Sequence, residues 1–170
     1  TRLINVSREQ YPVRVYKYGY KATDDVLAAL GAAEDTSADD VLKGLMDSGS
    51  LPGVNALSDI TFLLEKKNEE TGEWERYVFD VEQSTGNDGV FRIASGGSYT
   101  FESGLPQGDY RLSETNLGSN RNSYYNMYPG NGVYKYFTVG TEGTDVYVFN
   151  PELLDLRVIK TTLNDEAQDD

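Results

Sequence analysis

Three segments far apart in the chain share one unusual pattern. Val13-Arg14-Val15-Tyr16-Lys17, Tyr110-Arg111-Leu112-Ser113-Glu114 and Val146-Tyr147-Val148-Phe149-Asn150 each read as strands with alternating faces. In the first, Val13, Val15 and Lys17 share a face; in the second, Tyr110, Leu112 and Glu114; in the third, Val146, Val148 and Asn150. An amine, a carboxyl and a carboxamide thus each follow two apolar residues toward a core. A charge buried without a partner is very costly. The shared register predicts that the three polar groups meet there.

The rest of the composition fits a sheet protein of ordinary size. The 170 residues suit one domain with a real core. Thirteen tyrosines, with many Val, Thr and Phe, favour strands, and seventeen glycines supply turns. The formal charge of −13 argues against nucleic acid and against anionic membrane surfaces. With no Cys and no His, the chain has no Ser-His-Asp or Cys-His nucleophile, no disulfide and no ordinary transition-metal site. Calcium at the acidic loops of Asp80, Asp88 and Asp145 stays an open alternative without diagnostic ligand spacing; no metal site is assigned from the residues, and no cofactor is expected. A turnover enzyme is not expected either, because no acid-base pair in a cleft can be identified. No apolar run reaches membrane-spanning length.

Taken in order, residues 1–10 form a polar lead-in and a β-sandwich domain is expected over 11–151. The first strand covers about Tyr11 to Tyr18. An insertion of different character, about 22–52, carries Asp24-Asp25-Val26-Leu27-Ala28-Ala29-Leu30 and Asp39-Asp40-Val41-Leu42-Lys43-Gly44-Leu45. Apolar residues at helical spacing follow early acids, with caps available at Thr23 and Ser37, so two short helices are predicted. They either cover sheet surface or form a binding element. Further strands are expected at Asp59–Glu65, Trp74–Val81, Val90–Ile93, Ser98–Glu102, Val133–Val139 and Asp145–Asn150, separated by turns such as Ser84–Gly89 and Gly104–Asp109. Short strands with turn signals at these intervals indicate a mostly β sandwich. Residues 152–170 form a linker and an acidic tail. Within them, Leu156-Arg157-Val158-Ile159-Lys160 repeats the pattern of the first strand, as the start of a following module or by coincidence. The opening at Thr1 and the acidic close read as the limits of a fragment.

If the first strand, the Tyr110 strand and the last strand are neighbours, Lys17, Glu114 and Asn150 lie together among apolar side chains. Burial disfavours charge on both the amine and the carboxyl. A neutral amine is a nucleophile, and a protonated carboxyl can polarise the Asn150 carbonyl and carry a proton to departing ammonia. The product is an amide between the side chains of Lys17 and Asn150. The structural rival is a buried Lys-Glu ion pair without a covalent bond.

The same residues carry a family resemblance. Gly-Leu-Pro-x-Gly-x followed by Tyr-x-Leu-x-Glu-Thr, ending at Glu114-Thr115, resembles the E-box of collagen-adhesin B-type domains, also called SpaA-type pilin domains, of Gram-positive surface proteins. The first strand with Lys17, Ile60-Thr61-Phe62-Leu63-Leu64, Asn87-Asp88-Gly89-Val90-Phe91 and Val148-Phe149-Asn150 match in order, over about residues 11–151. The resemblance implies an inverse immunoglobulin-like sandwich with an autocatalytic Lys17–Asn150 isopeptide bond assisted by Glu114. It implies a structural module of an extracellular, cell-wall-anchored adhesin or pilus, whose partners are neighbouring modules or subunits. The insertion at 22–52 departs from the family, where many members have a short connection. Another reading is a binding domain for host glycan or matrix protein, using Tyr124, Tyr125 and Tyr128 as exposed aromatics or the insertion.

Overall fold

A computed structural model describes residues 9–33, 35–79 and 88–153. They form two packed sheets with a two-helix insertion on the outside of one. In the first sheet, β1 (Gln10–Tyr20) is central. On one edge it pairs antiparallel with β6 (Ser98–Pro106) and, further along, with the two-residue β2 (Asn55–Ala56). On its other edge it pairs parallel with β9 (Thr144–Pro151), in register from Val13↔Thr144 to Tyr20↔Pro151. The second sheet is built around β3 (Ile60–Lys67), with β4 (Trp74–Arg76) and β5 (Val90–Ile93) on one side. On the other side lies β7 (Gly108–Asn116), followed by β8 (Lys135–Val139).

Alternation explains the layering. In β1, Val13, Val15 and Lys17 are buried while Pro12 and Arg14 are exposed; β9 and β7 bury Val146, Val148, Asn150 and Tyr110, Leu112, Glu114 in the same way. The inner faces meet in one apolar core, where Phe62 and Phe91 stack with ring centroids 5.2 Å apart. Several strands run further than alternation alone predicts. β1 continues to Tyr20 because β9 and β2 supply hydrogen-bonding partners for its end. β6 continues to Pro106 through a bulge against Tyr11, where Gly104 adopts φ 73°. A Cβ at Gly104 would fall 2.5 Å from the Tyr11 carbonyl oxygen, so only glycine fits this approach. Conversely, β4 stops at Arg76 instead of extending to Val81, and β8 starts at Lys135, not Val133. Val81, the Ser84–Gly89 turn apart from its last two residues, the lead-in apart from its last two, and the Leu156–Lys160 repeat lie outside the described residues.

The insertion is helical as its pattern predicts: α1 spans Asp24–Ala32 and α2 spans Ala38–Asp47. The hydroxyls of Thr23 and Ser37 accept hydrogen bonds from Val26 N–H and Asp40 N–H. Val26 and Leu42 pack with Leu51, Tyr20 and Phe149 in a second apolar cluster. Tyr20 and Phe149 belong to β1 and β9, so the helices cover the outer face of the first sheet where those strands end.

Candidate functional site

β1 and β9 are neighbours, but β7 lies in the facing sheet. The expected adjacency of all three strands is therefore corrected: Glu114 reaches Lys17 and Asn150 across the sandwich interior, not from the next strand. All three side chains are buried, at 0, 1 and 0% exposure for Lys17, Glu114 and Asn150. Lys17 Nζ lies 3.2 Å from Glu114 Oε1 and donates to the Val148 carbonyl oxygen at 3.3 Å. Asn150 Nδ2 donates to both carboxylate oxygens, at 3.0 and 3.3 Å. Asn150 Oδ1, equally buried, has no hydrogen-bond partner among the described residues.

Backbone contacts fix each member in place. Lys17 N–H donates to Gly97 O at 2.9 Å, and Lys17 O accepts from Leu57 N–H at 2.9 Å. Glu114 N–H donates to Tyr128 O at 2.7 Å, and the Glu114 carbonyl accepts from Asn126 Nδ2 at 2.9 Å. Asn150 is in register with Gly19, two residues beyond Lys17 on the same face of β1. Burial pulls the Lys17 amine below the usual lysine range, against the opposing charge and hydrogen bond of Glu114. An amine so placed has an acceptor for its proton at contact distance and a carboxamide hydrogen-bonded to that same acceptor.

Tyrosines from the loop after β7 close the site. Gly19 leaves room for the ring of Tyr124: a Cβ there would fall 2.2 Å from a ring carbon. Tyr128 N–H approaches Glu114 Oε2 at 3.4 Å, and its hydroxyl donates to Asp39 Oδ2 at 2.5 Å. The three tyrosines read from sequence as exposed aromatics are thus not alike. Tyr124 and Tyr128 are half-buried against the core, and Tyr125 is exposed. Their polar surroundings in the sequence conceal this, because burial here comes from contacts with Gly19 and with the insertion, both far away along the chain.

Sequence reasoning also misses Asp39. As the second residue of α2 it reads as a solvent-facing acid favoured by the helix dipole, yet it is 3% exposed. Its carboxylate accepts from Phe149 N–H at 3.2 Å and lies 2.9 Å from Lys135 Nζ. No sequence signal separates it from exposed Asp40 beside it, except that Asp39 and Leu42 share a helical face at a spacing of one turn. Among the described residues, no cluster of three acidic side chains is placed to hold a metal.

No protein family and no curated protein matches this chain. Several solved structures resemble it at low identity. A streptococcal ancillary pilin is 18% identical, covers 90% of this chain and 32% of its own, and has a TM-score of 0.48. The pilus adhesin RrgA from Streptococcus pneumoniae is 13% identical, with 86% and 16% covered and a TM-score of 0.47. The full-length RrgB pilus protein of the same organism is 13% identical, with 86% and 26% covered and a TM-score of 0.42. This chain spans 32% or less of the length of each of them. The chemistry stands on the side chains themselves.

Proposed function

We propose that the chain is a structural module of a Gram-positive surface adhesin or pilus, locked by an amide bond that its own Lys17 and Asn150 form with help from Glu114. One observation carries the reading: an amine, a carboxyl and a carboxamide, contributed by three strands, are in contact and shut off from water. Proton transfer from Lys17 Nζ to Glu114 turns the ion pair into a neutral amine and a carboxylic acid. Turning the Asn150 carboxamide about its terminal bond exchanges two ends of nearly equal shape. The unpartnered Oδ1 then faces the acid, which donates to it and polarises Cγ. Nζ attacks Cγ, Glu114 takes a proton from Nζ and passes it to Nδ2, and the Cγ–Nδ2 bond breaks. One amide forms, one neutral ammonia leaves, and the proton that Glu114 first took from the ammonium stays on it, so that Glu114 ends as the carboxylic acid. Holding both partners on one carboxylate, Lys17 at 3.2 Å and Asn150 at 3.0 Å, supplies the effective concentration that such a slow aminolysis needs.

The bond suits a load-bearing role. β1 and β9 run parallel, so pulling the start of β1 against the end of β9 shears their whole ladder at once. A link from Lys17 to Asn150 carries tension across and leaves the chain between positions 17 and 150 unloaded. Treated like a disulfide closing a loop that long, it stabilises by about 5 kcal/mol on a chain-entropy account. For an exposed protein, resistance to force and proteases is the larger gain. The test is intact mass. The folded chain is expected to fall short of its sequence mass by one ammonia, and Glu114→Ala to restore it. A wild-type mass equal to the sequence value overturns the reading.

A further inference from the structure

We propose that Asp39, brought in by the helical insertion, is a positioning residue for the Lys17–Asn150 crosslink, holding both the strand that carries Asn150 and the segment that supports Glu114. The inference rests on the crosslinking reading above and extends it to an element that the reaction itself does not require.

An acid in the first turn of a helix gains only a little from the dipole and needs no burial to do so. Asp40 next to it remains exposed. Burying the Asp39 carboxylate instead strips it of hydration, a cost larger than the dipole gain, which only close partners can offset. Three partners are present, each on a different segment. Phe149 N–H lies on the free edge of β9, one residue before Asn150. The Tyr128 hydroxyl belongs to the segment whose backbone exchanges contacts with Glu114: Glu114 N–H donates to Tyr128 O, and Tyr128 N–H approaches the carboxylate. Lys135 Nζ, at the start of β8, balances the charge.

Two short paths therefore lead from one carboxylate to two of the three reacting groups. One runs through Phe149 to Asn150 and the other through Tyr128 to Glu114. Lys17 is held separately, by Gly97 and Leu57. Without Asp39, the β9 edge and the Tyr128 segment lose their common anchor. The charge of Asp39 acts against a neutral amine at Lys17, but it is the smallest of the influences on that group, and Asp39 is itself paired with Lys135. The positional effect outweighs it, because a reaction between groups held by hydrogen bonds to one carboxylate is steeply sensitive to displacement.

The experiment follows ammonia loss by intact mass at intervals after cell-free synthesis of the full chain. Wild type, Asp39→Ala, Asp39→Asn and Tyr128→Phe are compared, with folding checked by circular dichroism. Asp39→Ala is expected to slow the loss at least about tenfold, since a misplacement near 1 Å can cost about a hundredfold. Asp39→Asn is expected to recover much of the rate, because its Oδ1 still accepts from Phe149 N–H. Tyr128→Phe is expected to be slowed as well, and it decides the matter if Asp39→Ala does not fold. The same changes in an Asn150→Ala background report stability separately. A purely structural role would lower the melting temperature there and leave the rate in folded molecules untouched, which overturns the proposal. Wild-type rates in both Asp39→Ala and Tyr128→Phe overturn it too, while the crosslink stands. A wild-type chain that keeps its ammonia removes the crosslink and this inference together.

Discussion

A lysine amine 3.2 Å from a glutamate oxygen, with neither side chain touching water, is costly to leave half-made. As an ion pair it gives up hydration on both partners; as a neutral pair, or once spent in an amide, it gives up far less. The lowered proton affinity of Lys17 has burial as its first cause and points in the same direction. This predicts an asymmetry among variants that all lack the crosslink. Asn150→Ala keeps Lys17 and Glu114 paired, whereas Lys17→Met leaves the carboxylate buried without its cation. Denaturant unfolding should place Lys17→Met below Asn150→Ala by about 3 kcal/mol, and adding Glu114→Leu should recover most of the difference. Equal stability of the two single variants would mean that Glu114 finds another partner or reaches water. The three polar residues are visible in the sequence because each breaks an apolar stripe at the same phase. Gly19 and Asp39 are not, since one matters through the Tyr124 ring that lies over it and the other through partners 89 and 110 positions away.

The insertion shows how far pattern reading carries. Caps at Thr23 and Ser37 and the spacing of Val26 and Leu42 specify both helices locally, so they are legible. The surface they cover is not, because it is made by Tyr20 and Phe149 on strands at opposite ends of the chain. Strand pairing is hidden for the same reason. Alternation shows which face of β1, β7 and β9 is buried, but not that β1 and β9 lie parallel and side by side, nor that β7 faces them from the other sheet. If the helices act as a cover, a buried and an exposed leucine among their four should behave differently. Leu42→Ala, at 2% exposure, should cost about 2–3 kcal/mol in denaturant unfolding of the Asn150→Ala background. Leu27→Ala, at 52% exposure, should change it by less than about 0.5 kcal/mol. Similar losses at both sites would mean that the insertion packs in another way. If Leu42→Ala spares stability and slows crosslinking, the helices serve the reaction more than the fold.

Across the molecule, buried phenols set the alkaline limit. Burial pushes Tyr20 up to about 12, and raises Tyr110 and Tyr128 further, above the ordinary phenol value of 10.0. A group whose folded value is raised contributes stability that is complete below its unfolded value and is lost as pH climbs through the folded one. The melting temperature should therefore hold up to pH about 10 and fall between about 10 and 12, with much of the tyrosinate absorbance appearing only on unfolding. The lowered value of Lys17 acts in the opposite sense, adding stability as pH rises toward 10.5, but only while the amine is free. In the crosslinked chain it is an amide and does not titrate, so the alkaline loss is unopposed. Full tyrosinate absorbance in the still-folded chain at pH about 11, where an unshifted phenol is nearly all ionised, would contradict this. The covalent link is tested most directly by tryptic digestion of the denatured chain with tandem mass spectrometry. The account predicts that cleavage after Lys17 fails and that a single branched peptide, lighter by one ammonia, joins Lys17 to Asn150. Cleavage after Lys17, with Asn150 recovered unmodified in a separate linear peptide, would contradict it.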